Sequence, residues 1–228
     1  MLTFTTIRIS KRVSKKQLFV LIFLIALIII FWSSSYFQDV FLNSVGAVEK
    51  YIQSHRAIGI SVFIGLTALS AMLSPFSSVP LVPAAVLIWG TALTFLFLMT
   101  GWMLGGAAAY GIGRYLGFPI VSRIISSEKL DSWIHKIANQ MEFYLVLLFR
   151  LATPSETGYI FGILRYHFWK YLLVTTLAEL PYGIFIVYAS EAFVNREKEI
   201  FFILAAIAVL MVGVLFYLFR KRLKQLTK

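Results

Sequence analysis

From Ala57 to Gly113 the chain carries no charged side chain, and this run is broken midway by Ser74-Pro-Phe-Ser-Ser-Val-Pro-Leu-Val-Pro83. One helical crossing of a bilayer takes about 20 apolar residues. The run is too long for one crossing and too short for three with their loops. Pro75, Pro80 and Pro83 remove backbone donors and break helices. A break at membrane depth must be buried in protein or line a wet cavity, because lipid cannot satisfy freed backbone groups. The simplest solution is a re-entrant hairpin with its tip at Ser74–Pro83, followed by one full span. Interrupted segments of this kind form the substrate site in transporters.

Composition agrees with a polytopic membrane protein of one domain. Hydrophobic residues make up 60% of the chain and charged residues only 14%, against about a quarter charged in soluble domains. Absence of cysteine removes disulfides, thiolate metal sites and cysteine catalysis. Three scattered histidines (His55, His135, His167) do not suggest a metal centre, and no cofactor is expected. A net charge of +11 raises the question of nucleic acid, but its distribution answers otherwise. Arg8, Lys11, Arg12, Lys15 and Lys16 precede the first apolar run, and Arg220, Lys221, Arg222, Lys224 and Lys228 close the chain. Basic residues flanking spans mark the cytoplasmic side, so both termini are expected there, against anionic headgroups.

Residues 1–16 then form a basic N-terminus and 17–37 a first transmembrane helix. The run Leu18–Trp32 exceeds the usual 7–15 residues of a signal-peptide core, which favours an uncleaved span; cleavage near Ser33–Ser35 is the alternative. The first hairpin enters from outside and returns there at Gly90. Thr91–Gly113 crosses inward and ends at Arg114. The loop to Glu142 is basic, and within it Leu130, Trp133, Ile134 and Ile137 share one helical face, read as an interfacial helix. Phe143–Phe149 and Thr157–Leu164 are too short to span, at about 10–12 Å each as helices. A second re-entrant hairpin is expected here, entered from the cytoplasm, with Arg150, Thr153, Pro154, Ser155 and Glu156 at its tip. Tyr171–Ser190 crosses outward and Ile200–Phe219 returns, leaving 220–228 as a basic C-terminus. The expectation is an all-α bundle of about four full spans plus two opposed hairpins, laid out as an inverted repeat.

Ionisable groups at membrane depth are costly and usually face a cavity or a partner. Arg150 and Glu156 are the sharpest candidates: they pair with each other across the turn, or bind a phosphate and take up a proton. Glu179, two residues before Pro181, is a second candidate proton carrier, or a neutral acid bonded to backbone that the proline frees. Ser74, Ser77 and Ser78 are candidate headgroup ligands, or caps of the broken helices. Gly101-Trp-Met-Leu-Gly105 is a small-xxx-small packing face. Arg114 snorkels toward headgroups.

The Pro-rich hairpin ending in Gly90, the span ending Ala109-Tyr-Gly-Ile-Gly-Arg-Tyr-Leu-Gly117, and Phe149-Arg-Leu-Ala-Thr-Pro154 together resemble the DedA/VTT superfamily, which contains the SNARE-associated Golgi proteins. Thr176-Leu-Ala-Glu-Leu-Pro181 looks like the family's later Gly/Pro segment. The resemblance covers about residues 57–190. It implies two opposed re-entrant hairpins, lipid flipping or scrambling with proposed proton coupling, and a bacterial inner membrane as location. It also carries the family's two arginines over to Arg150 and Arg114. Two departures stand out. The first tip has Ser77-Ser78 where DedA-type members place a carboxylate, and Ser155-Glu156-Thr157 follows the second proline where another Arg is common. Both place the chain nearer the neutral-tip branch and count against a polyprenyl-phosphate substrate.

The leading expectation is a transporter that moves a phospholipid or other lipid phosphate between leaflets, with membrane lipids as partners, no nucleic acid, and a homo-oligomer left open. A non-transporting scaffold or assembly factor is the alternative. A lipid-modifying enzyme ranks last, because no nucleophile–base pair or metal-ligand cluster converges in the sequence.

Overall fold

The computed structural model describes residues 35–73, 76–124, 143–152, 157–207, 210–211 and 213–214. The expected first span, up to residue 34, the surface helix around 130–137, Ser74, Pro75, and the tip residues Thr153, Pro154, Ser155 and Glu156 lie outside the described residues. So does 215–228, the end of the expected last span and the basic C-terminus. Two compact units are present, residues 1–41 and 42–228, and the description below concerns the second. Among the described residues every regular element is helical.

Helix α1 covers Ser35–Ser54 and α2 Arg56–Met72. The latter stops at Leu73, which is extended, ahead of the Ser74-Pro75 step, where a proline disfavours helical backbone in the residue before it. A 3-10 turn at Val79–Leu81 leads into α3, Val82–Trp89. Pro80 and Pro83 sit in the first turns of these two elements. There a missing N–H costs nothing and the fixed φ suits the helix. The two prolines therefore start the returning arm rather than break a helix, which corrects their expected role. Gly90, at φ 77°, makes the turn into α4.

Helix α4 runs Thr91–Ile124 and passes through Arg114, where the sequence suggested an end. It leaves helical geometry only at Gly117 (φ 65°, ψ −165°), two residues before Pro119. A charged residue marks where a side chain reaches water, not where a helix stops. Helices α5 (Phe143–Ala152) and α6 (Gly158–Ile163) follow, then α7, Phe168–Val194, which continues through Pro181. Two stretches, Thr91–Pro119 and Phe168–Val194, are long and apolar enough to cross a membrane. Residues 198–207 are helical again.

Contacts fix the helix directions. Trp89, at the end of α3, packs edge-on against Phe63 at 5.5 Å in α2, while Ser78, at the start of the returning arm, bonds Ser70 near the end of α2. The chain thus doubles back. Phe149 in α5 and Phe161 in α6 pack edge-on at 6.2 Å. Gly106 lies against Tyr171 and Thr175, Met103 against Thr176, and Met99 and Phe95 against Gly183, so α4 and α7 run antiparallel. Arg150 and Leu151 meet Glu179 and Tyr182 in order, which sets α5 parallel to α7. Thr67 and Ala68 meet Gly101 and Gly105 in order, which sets α2 parallel to α4.

Each helix–break–helix unit therefore lays its first arm along its own long helix, α2 on α4 and α5 on α7. Its second arm lies on the other unit's, α3 on α7 and α6 on α4. The seams are close: a Cβ at Gly105 would stand 2.1 Å from the Ala68 carbonyl oxygen, and one at Gly113 2.1 Å from that of Tyr159. Small residues let helices approach to backbone contact where no hydrophobic drive separates helix from lipid. Two cores result. One holds Tyr110, Phe149, Phe161, Tyr166 and Tyr171, the other Phe63, Val82, Val86, Leu98, Trp102 and Val187.

Candidate functional site

The last turn of α5 carries Arg150 inward, against the middle of α7. Arg150 is 3% exposed, and its Nη2 donates to Glu179 Oε1 at 2.6 Å. The expected pairing of Arg150 with Glu156 falls on a residue outside the described ones; the described partner is Glu179. The bond assigns Glu179 a guanidinium rather than only the backbone around Pro181. Parallel packing of α5 on α7 brings the two together although 29 positions separate them. Tyr182 Oη, one turn beyond Glu179, donates to the Leu151 carbonyl at 2.8 Å and pins the same two helices.

Around this pair the polar groups are few. Tyr171 Oη donates to the Gly106 carbonyl at 3.0 Å and sits beside Gly158, where a Cβ would stand 2.6 Å from it. Both charges of the ion pair act on Tyr171. Buried Arg150 Nε and Thr157 Oγ1 have no hydrogen-bond partner among the described residues. An unsatisfied buried donor costs about 1–3 kcal/mol. Each of the two is a buried polar group that a further hydrogen bond would satisfy.

One bond joins the helices that flank the two interruptions. Tyr159, at the start of α6, donates its hydroxyl at 3.2 Å to the carbonyl of Met72, the last residue of α2. Met72 ends the helix before the first interruption, and Tyr159 lies in the helix after the second. Ser78 is buried and accepts from Ser70 Oγ at 3.0 Å and Trp102 Nε1 at 3.4 Å. It ties the tip to α2 and α4 and caps no helix through its side chain. Ser77 is exposed and accepts from the Val79 N–H at 3.3 Å, a local turn bond. Neither serine bonds Arg150 or Glu179 among the described residues. Arg114 lies elsewhere: its Nη1 donates to Tyr110 Oη at 2.8 Å near the end of α4.

Tyr159, Tyr171 and Thr157 carried no signal in the sequence, where each reads as an ordinary apolar-segment residue. Among the described residues no group of three or more His, Cys, Asp or Glu side chains could hold a metal ion.

Comparison with curated proteins and with solved structures gives no match. A family model, the VTT domain, matches residues 74–192, just over half of the chain. The matched stretch starts at the first break and contains α3 to α6, the ion pair and nearly all of α7. This chain accordingly belongs to the VTT domain family, the domain of the DedA and SNARE-associated Golgi membrane proteins.

Proposed function

We propose that this protein moves a phosphate-bearing lipid between the leaflets of a membrane. Both helix–break–helix units are then re-entrant hairpins. They sit within four full spans, with both termini on the cytoplasmic side of a bacterial inner membrane, and no covalent chemistry is performed. The observation that carries the reading is the buried Arg150–Glu179 pair, which joins the first arm of the second unit to its long helix α7, together with the Tyr159–Met72 bond between the two units. A guanidinium at that depth requires one counter-charge. Glu179 supplies it in the closed arrangement, and a lipid phosphate entering the site would compete for the same N–H groups. If Glu179 takes up a proton as the phosphate binds Arg150, charge stays balanced and the lipid step is coupled to a proton. Repacking of the second arms, each seated on the other unit's long helix, offers the motion that turns the site from one side to the other.

The experiment is reconstitution of the purified protein into liposomes with fluorescent phospholipids, followed by quenching from outside. Protein-free vesicles keep the inner-leaflet signal, and active protein exposes it. Wild-type protein is expected to expose it and Glu179→Gln to do so with a flattened pH profile, because glutamine cannot ionise. Protection of the inner-leaflet signal at every pH would favour the scaffold reading, in which the ion pair only holds α5 against α7. Topology is checked with single cysteines, which enter this cysteine-free chain cleanly. Labelling at residues 125–135 by an impermeant reagent outside intact cells would contradict the proposed orientation.

A further inference from the structure

A second polar site stands apart from the ion pair. A cleft of about 690 Å³ opens where the end of α4 passes the start of α7. Arg114, Arg165 and His167 line it together with the rings of Tyr110, Phe168 and Trp169, and no acidic side chain is among its lining residues. The volume suits a small organic anion with part of its scaffold, since ligand clefts run about 300–1,000 Å³.

The cationic wall is built rather than incidental. Tyr110 Oη donates to the Tyr166 carbonyl and accepts from Arg114 Nη1 at 2.8 Å. That bond chain fixes Arg114 to the short segment that carries Arg165 and His167 on either side of Tyr166. Arg165 adopts φ 52°, left-handed backbone that disfavours any residue with a Cβ. That conformation closes α6: the Arg165 and Tyr166 N–H groups donate to the Gly162 and Phe161 carbonyls, a Schellman ending that holds Arg165 at the turn. Among the described residues no acidic side chain lines the cleft beside Arg114 and Arg165. At its mouth Trp169 is 69% exposed and Tyr115 83% exposed, and exposed Trp and Tyr beside a membrane span sit at headgroup level.

We propose that this cleft docks the phosphate of a phospholipid headgroup at the membrane surface, as a station separate from the Arg150–Glu179 pair. Arg114 and Arg165 hold the phosphate oxygens, a task suited to planar guanidinium forks. Trp169 and Tyr115 lie along the glycerol and upper acyl chains. The proposal rests on the lipid-moving reading, yet it concerns equilibrium binding and is tested without transport.

The test titrates the full-length purified protein in maltoside detergent with dihexanoyl phosphatidic acid by calorimetry. Inorganic phosphate and dihexanoyl phosphatidylcholine form the parallel arms. Phosphatidic acid is expected to bind at least about tenfold more tightly than either, the effect of one charge-assisted bond. Arg114→Gln and Arg165→Gly are each expected to weaken it by about the same factor. Glycine accepts the left-handed backbone of residue 165, so Arg165→Gly should hold or raise the melting temperature while losing the ligand. A merely structural Arg165 would instead lower melting and leave affinity alone. Arg150→Met/Glu179→Leu, which removes the buried pair and any binding there, should still show the binding event that Arg114→Gln and Arg165→Gly weaken. Equal affinity for inorganic phosphate would reassign the cleft to a free anion and overturn the lipid assignment. Unchanged affinity in both arginine variants, or loss of binding in the buried-pair variant, would overturn the separate site.

Discussion

Arg150→Ala is expected to reduce lipid transport by about a hundredfold or more, the loss of two charge-assisted hydrogen bonds at about 1.5–3 kcal/mol each. The same change takes the guanidinium away from buried Glu179, and breaking a buried ion pair costs about 3–5 kcal/mol of stability. Lost activity alone would therefore be ambiguous. Arg150→Met combined with Glu179→Leu resolves it, because replacing a buried ion pair by apolar side chains of similar size is often neutral or stabilising. The double variant should insert, accumulate and melt near wild type, yet move no lipid in the liposome assay. Arg150→Lys should also be impaired, since an ammonium supplies a point charge and not a fork. Transport at the wild-type rate in the double variant would remove the pair from the mechanism. Unchanged pH profiles in both Glu179→Gln and Glu156→Gln would leave proton coupling without a carrier and favour passive scrambling.

The next largest effect is expected at the seam between α4 and α6, and it should reverse within two residues. A Cβ at Gly113 would stand 2.1 Å from the Tyr159 carbonyl oxygen, and one at Gly162 2.1 Å from that of Tyr110 and 2.7 Å from the Arg114 nitrogen. Those neighbours are backbone and cannot swing away. Gly113→Ala and Gly162→Ala should each exceed the ordinary overpacking cost of about 1–3 kcal/mol and leave little folded protein. Gly111, on another face of α4, meets nothing within 4 Å. Gly111→Ala should instead gain about 0.5–1 kcal/mol from helix propensity, a rise of about 1–4 °C for a chain of this size. Thermal melts followed by size exclusion compare the three directly, and similar melts for Gly111→Ala and Gly113→Ala would contradict the seam.

Much of this architecture is written locally. The charge-free run, the Pro-bearing interruption and Gly90 announce a reversal before a long helix, and Gly101 and Gly105 announce a backbone-close contact. Arg150 is conspicuous because an arginine inside apolar sequence demands a reason. Its partner is not conspicuous. Glu156 lies six positions away, and nothing short of the parallel course of α5 and α7 shows that Glu179 faces it. Prolines mislead by position: at 80 and 83 they open helical elements, and at 181 the helix runs on. The cleft was hidden for a different reason. Taken singly, Arg114, Arg165 and His167 are no more than polar groups near span ends, where charge marks orientation by default. Only the folding of one chain end beside another turns three such signals into one wall.

The exchange of second arms also governs how the protein can be made. On leaving the ribosome, α2, α3 and α4 already hold one interrupted segment and one span, but α3 has its main seat on α7, almost a hundred residues later in the chain. Until Val194 has been synthesised, the face of α3 that will meet α7 and the Gly106–Gly113 face of α4 lack their partners. The first half waits in the membrane as an incomplete object, with the polar backbone of its tip unsealed. Neither half is a folding unit alone, and a chain stopped after Ile124 should be a substrate for membrane quality control rather than a smaller working protein.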